Sequence, residues 1–160
     1  MYTLTENLKV VNGLAPAADA AGRTAAYVST KHAAKKVFAV CKANQGNAAQ
    51  VTFTLQQATN VSGGSVKALT GDVQIWTNQA TATNDTFVRQ TDAKSFQTSA
   101  ALAIKIVVFE IDISAALDLN NGFDAITVTT SASNAANITD VTYYIPMSYQ
   151  GNNPPSFVID

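Results

Sequence analysis

One cysteine and one histidine are all that these 160 residues hold of the side chains most used for redox chemistry, metal chelation and proton transfer near neutral pH. A lone Cys41 excludes an internal disulfide and a Cys-rich zinc centre, and a lone His32 excludes a histidine cluster. Charge is scarce too. Asp, Glu, Lys and Arg make up 13% of the chain, roughly half the usual share. Ten basic residues stand against eleven acidic ones, for a net charge of -1, with no block of one sign. A nucleic-acid surface needs many cations to neutralise phosphates, and a polybasic membrane anchor needs a cluster of them. Neither partner is expected. The most apolar window, Ala100 to Ile113, is broken by Lys105, Glu110 and Asp112, so no membrane span is read. Met1 to Asn7 lacks the basic start and apolar run of a signal peptide, which points to synthesis in a reducing cytoplasm.

In place of Lys and Glu, the polar positions are filled by Thr, Ser, Asn and Gln, with much Ala. Thr favours the pleated strand. A surface solvated by neutral amides and hydroxyls resists association less than a charged one, which suits extensive protein contact.

The dominant period is two. Val51, Phe53 and Leu55 alternate with Thr52, Thr54 and Gln56; Ile126 and Val128 alternate with Thr127 and Thr129; Val141, Tyr143, Ile145 and Met147 alternate with Thr142, Tyr144 and Pro146. Each pattern puts an apolar face inward and a polar face outward. The run Ile104 to Ile111 is apolar on both faces and reads as a central strand covered on both sides. Further strands are expected over Thr24 to Thr30, Lys36 to Lys42, Val73 to Asn78 and Thr86 to Gln90, with turn clusters rich in Asn and Gly between them. Short helical turns are expected at Lys31 to Lys35 and at Ser114 to Leu117, the latter capped by Ser114. Eight or so short strands without long amphipathic helices predict one all-β domain, an antiparallel sandwich, over residues 22–149.

The ends read differently. Residues 1–21 combine Leu4, Leu8 and Val10 with Gly13, Pro16 and an alanine run, suggesting a short strand and then a flexible arm. Residues 150–160 form a second arm, in which Pro154-Pro155 favours an extended course before the apolar tip Phe157, Val158, Ile159. Such a tip is expected to be buried on its own domain or on a neighbour. Leu4, Leu8, Pro154, Pro155, Phe157, Val158 and Ile159 are therefore the candidate partner-binding residues.

No catalytic constellation is legible. His32 sits in a polar turn among lysines, and Cys41 lies in an apolar strand where a buried structural thiol fits. The loop Asp118 to Asp124 resembles a calcium loop only superficially. Its glycine comes one residue early and no bidentate Glu follows, so an Asn-Gly turn explains it better. Glu110 and Asp112 share one strand face, with nothing to mark a cleft around them. Trp76, Tyr143, Tyr144 and Tyr149 could form a sugar-stacking platform, although aromatics spread over strands more often serve core or interface. No catalytic residue, cofactor or metal is expected, and the chain is not read as an enzyme.

Several phrases in order carry a resemblance: Gly22-Arg23-Thr24 into Tyr27-Val28-Ser29; Phe53 to Ala58; Lys67-Ala68-Leu69-Thr70 before Ile75-Trp76; Val88 to Ala93; Val107 to Asp112; and Gly122 to Val128. The series, over about residues 22–147, resembles small head proteins of tailed bacteriophages and prophages, of the capsid decoration (cement) type. That resemblance implies a jelly-roll sandwich, often a homotrimer, with terminal arms reaching adjacent subunits. Its partner would be the major capsid protein at the capsid exterior, without cofactor or catalytic residues. The competing expectation is a receptor- or carbohydrate-binding module of a head or tail fibre.

Overall fold

Two antiparallel sheets face each other in the computed structural model, which describes residues 4–148 and 155–159. The elements in chain order are α1 (Leu4–Asn7), β1 (Leu8–Ala18), β2 (Val28–Ser29), β3 (Lys36–Gln45), β4 (Thr52–Ala58), β5 (Lys67–Ala68), β6 (Gln74–Asn78), β7 (Val88–Arg89), β8 (Ser95–Gln97), β9 (Ile104–Asp112), α2 (Ile113–Ala116), β10 (Ala125–Thr130) and β11 (Asn137–Pro146). A single 3-10 turn, Leu119–Asn121, precedes β10. The larger sheet runs β1-β11-β3-β9-β6-β7, and the smaller β2-β10-β4-β5 with β8 also on β4. The chain is an all-β antiparallel sandwich, as its period-two patterning predicts. Jelly-roll wiring is a finer statement than this strand order makes.

Register explains how the core closes. On β3 the inward positions Val37, Ala39, Cys41 and Ala43 are fully buried, and three of the four are small. Ala39 stands between Tyr143 of β11 and Phe109 of β9, so its missing bulk makes room for the two rings that flank it. Ala43 in the same way stands between Thr139 and Lys105. From the other sheet, Phe53, Leu55, Ile126 and Val128 complete a core with no exposed surface at any of these four. Alternating large and small residues across neighbouring strands is how a sandwich reaches interior packing density.

The N-terminal segment is not a free arm over its second half. β1 pairs with β11 from Leu8 to Ala18, with register shifts at Asn12/Leu14 and Leu14/Ala17. Gly13 occupies the first irregularity because a Cβ there would lie 2.6 Å from the Tyr143 ring. Beyond β1, Gly22 turns the chain at φ +76, where a Cβ would meet the Thr130 carbonyl at 2.7 Å. The turn brings the Arg23 guanidinium back onto the Ala15 and Thr139 carbonyls at 2.7 and 2.8 Å. A sheet edge is thereby capped by a side chain of its own chain.

Three other expectations change. Residues 31–35 form a non-helical turn, with Ala33 bridged to Met147. The helical turn after β9 is capped by Asp112, whose carboxylate accepts from the Ser114 backbone N–H at 3.1 Å. And β9 is covered on one face only: Val107, Phe109 and Ile111 are fully buried, whereas Ile104 on the opposite face is 45% exposed.

Candidate functional site: the outer face of the larger sheet

The two sheets present unlike outer faces. On the smaller sheet the outward row is Thr52, Thr54 and Gln56 of β4, with Thr129 opposite Thr54; Thr127, opposite Gln56, is covered and donates to the Ala25 carbonyl. On the larger sheet the middle of the outward face is largely apolar and aromatic. Tyr144 lies across from Phe38, and in the next row Thr142, Val40, Val108 and Trp76 follow one another across four strands. Ile106 continues the surface beside Lys42. Phe38, Val40, Ile106, Val108, Trp76 and Tyr144 are each half-buried among their neighbours, and Val10 at the β1 edge is 45% exposed. Strands about 4.8 Å apart, with outward residues about 6.8 Å apart, make this patch about 19 Å by about 14 Å, roughly 270 Å². That approaches the roughly 300–600 Å² of the largest apolar patch on a typical monomer, which is often functional.

Charge around the patch is internally balanced. Lys36 meets Glu110 at 3.4 Å, Lys42 meets Asp140 at 3.8 Å, and Arg89 pairs with Asp92 while its guanidinium carbon lies 5.7 Å from the centroid of Trp76. Burial raises the Asp140 carboxyl above its ordinary value, with Lys42 and Arg23 opposing. The face is thus apolar at its centre and neutral at its margin. Trp, Tyr, Phe and Arg are the residue types enriched in protein–protein interfaces.

The other candidate residues are dispersed. Phe157, a candidate partner residue expected to be buried on its own domain or on a neighbour, is 1% exposed and lies in its own chain's core, with its carbonyl accepting from the Ser29 N–H at 2.7 Å. The His32 ring meets it edge-on, centroids 6.2 Å apart. Leu4, Val158 and Ile159 are 50%, 45% and 71% exposed, Leu8 and Pro155 are half-buried, and Pro154 lies outside the described residues. Tyr143 is fully buried, leaving Trp76 and Tyr144 on one face but with two strands between them, and Tyr149 lies outside the described residues.

Cys41 is fully buried on the inner face of β3, and burial, then the charge of Asp140, raises its thiol. The Asp118 carboxylate is occupied by Lys67 at 2.6 Å and by the Asn121 amide, and those bonds hold it below the usual carboxylate range. Asp124 meets Lys31 at 3.5 Å. Among the described residues, no group of three or more His, Cys, Asp or Glu is placed to hold a metal. Glu110 and Asp112 do line a depression, of about 190 Å³, which the sequence did not signal. There Glu110 is paired with Lys36, while Asp112 caps the helix.

Sequence reasoning missed the apolar outer face because it read the second apolar set of β9 as buried. The signal was present: Phe38 and Val40 on β3 are apolar at the same outward parity as Ile106 and Val108.

No family model matches the chain, and no curated protein matches it. Among solved structures the chain is similar to the crystal structure of SPBc2 prophage-derived protein YomS, at 10% identity and a TM-score of 0.49, over 87% of this chain and 93% of that one. A likeness this distant assigns no function.

Proposed function

We propose that this chain is a virion structural protein of a tailed phage or prophage. In this reading it binds the outer capsid surface as a homotrimer and stabilises the shell by bridging major capsid subunits. The observation that carries the reading is the apolar, aromatic outer face of the larger sheet, and the ordered sequence resemblance supplies the partner. The protein acts by adhesion, with no chemical step. A patch of roughly 270 Å² is about a third of the roughly 800 Å² that one partner contributes to a standard interface. One such contact is weak, whereas three engaged together gain avidity. Leu4, Val158 and Ile159, exposed near the chain's ends, offer further apolar contacts.

The test is addition of purified protein to shells that lack it. Co-sedimentation, together with higher resistance of the decorated shells to heat and low salt, is the expected result. Failure to bind, or shells that rupture equally with and without it, overturns the proposal.

A further inference from the structure

A second surface feature lies at the edge of the larger sheet, where the β6–β7 hairpin encloses a notch of about 330 Å³. Its lining contains no ionisable side chain. Four side-chain amides line it; Asn78 is bonded at both ends, to the Asn84 carbonyl and the Ala80 N–H, and the other three are each held at one end by a bond within the protein. The Gln90 amide nitrogen donates to the Thr77 hydroxyl at 3.0 Å, the Gln79 amide oxygen accepts from the Ser99 N–H at 2.6 Å, and the Asn84 amide oxygen accepts from the Thr86 N–H at 2.8 Å. Among the described residues nothing takes the opposite ends. Those ends are the Gln90 oxygen, an acceptor; the Gln79 and Asn84 nitrogens, donors; and the Thr86 hydroxyl, which is both. Thr77 is only 2% exposed, so the floor is fixed, while Val88 at 56% exposure supplies an apolar wall.

We propose that this notch binds a neutral polyhydroxylated ligand, a hexose or a short neutral glycan. Vicinal hydroxyls are each donor and acceptor, which matches a neutral set of both kinds already oriented by its own hydrogen bonds. The C–H face of a pyranose suits the Val88 wall. An anionic sugar finds no cation in the lining and a cationic ligand finds no carboxylate. The volume stands at the lower end of small-ligand sites, about 300–1,000 Å³. The notch borders the apolar face, since Asn78 of its lining pairs with Ile106 across the strands, but this inference does not rest on capsid binding.

Nitrogen-15 NMR titration of the full chain tests it, with methyl glucoside, methyl galactoside, methyl mannoside and N-acetylglucosamine as neutral probes. Methyl glucuronide and glucosamine serve as charged controls. Saturable shifts confined to Thr77, Gln79, Asn84, Thr86 and Gln90 with at least one neutral probe are expected. Thr86→Val, which keeps the shape, should weaken binding roughly tenfold through loss of one hydrogen-bonding group. Val88→Trp should abolish it by filling the notch, with retained spectral dispersion showing that the variant folds. No saturable shift with any neutral probe, shifts centred elsewhere, tighter binding of a charged control, or affinity unchanged in both variants would each overturn the proposal.

Discussion

The backbone N–H of Val128 in the smaller sheet donates to the hydroxyl of Tyr143 in the larger one, at 3.1 Å and with both residues fully buried. The bond ties the two layers together at the centre of the sandwich. Tyr143→Phe should leave that N–H without a partner and cost about 1–3 kcal/mol, read from chemical denaturation. Burial also raises the Tyr143 phenol above its ordinary value of 10.0. Its folded-state value therefore lies above the unfolded one, and the stability it contributes is lost as pH rises past the unfolded value. An absorbance titration should show one tyrosine that ionises only with alkaline unfolding, and the same titration of Tyr143→Phe should lack it.

Lys105 is the buried cation of the core. It is 0% exposed, and its ammonium donates to the Gln45 side-chain oxygen at 2.7 Å and to the Ser99 carbonyl. Burial lowers its pKa below the ordinary 10.5. The folded state then binds fewer protons than the unfolded state between the two values, so stability rises with pH across that window. The burial penalty is fully present below the folded value and vanishes above the unfolded one. Measured against Lys105→Met, wild type should gain stability between neutral pH and pH values near 10. A difference independent of pH would show that the amine carries no such penalty.

Phe157 anchors the described part of the C-terminal segment in the core. Phe157→Ala should cost about 3 kcal/mol, the lower end for loss of a core phenylalanine. It should also speed hydrogen exchange at the Ser29 N–H, which the Phe157 carbonyl holds. Unchanged exchange at Ser29 would mean that the ring does not secure the segment.

The proposed capsid contact predicts a separation of stability from binding. Val40 and Val108 face each other across β3 and β9 on the outer face. Val40→Lys combined with Val108→Glu keeps a favourable cross-strand pair and should shift stability by less than about 1 kcal/mol. Shell binding, measured by co-sedimentation, should be lost because charges now occupy the centre of the apolar patch. Retained binding would move the contact elsewhere on the molecule.

Period-two patterning in β4, β10 and β11 was enough to read the fold class, because alternation assigns each residue to an inner or outer face without knowledge of its neighbours. The buried state of Cys41 was legible in the same way, from its parity on β3. The cap at Asp112 was displaced by two residues from Ser114, since both carry a side-chain oxygen suited to that role. The full pairing of β1 was hidden. Its Gly, Pro and Ala content resembles a flexible arm, and only β11 supplies the hydrogen-bonding partner that makes it a strand.

Local patterning, then, determined the strands, their inward faces and the all-β class, because side-chain direction alternates along any extended chain. The tertiary structure decided what the remaining outward faces meet. Phe38, Val40, Ile106, Val108 and Trp76 come from three strands that are distant in sequence, and only their pairing turns single apolar residues into one patch. Long-range pairing also decided that Phe157 goes inward and that Lys105 is buried beside Ala43, because burial depends on the strands that arrive alongside.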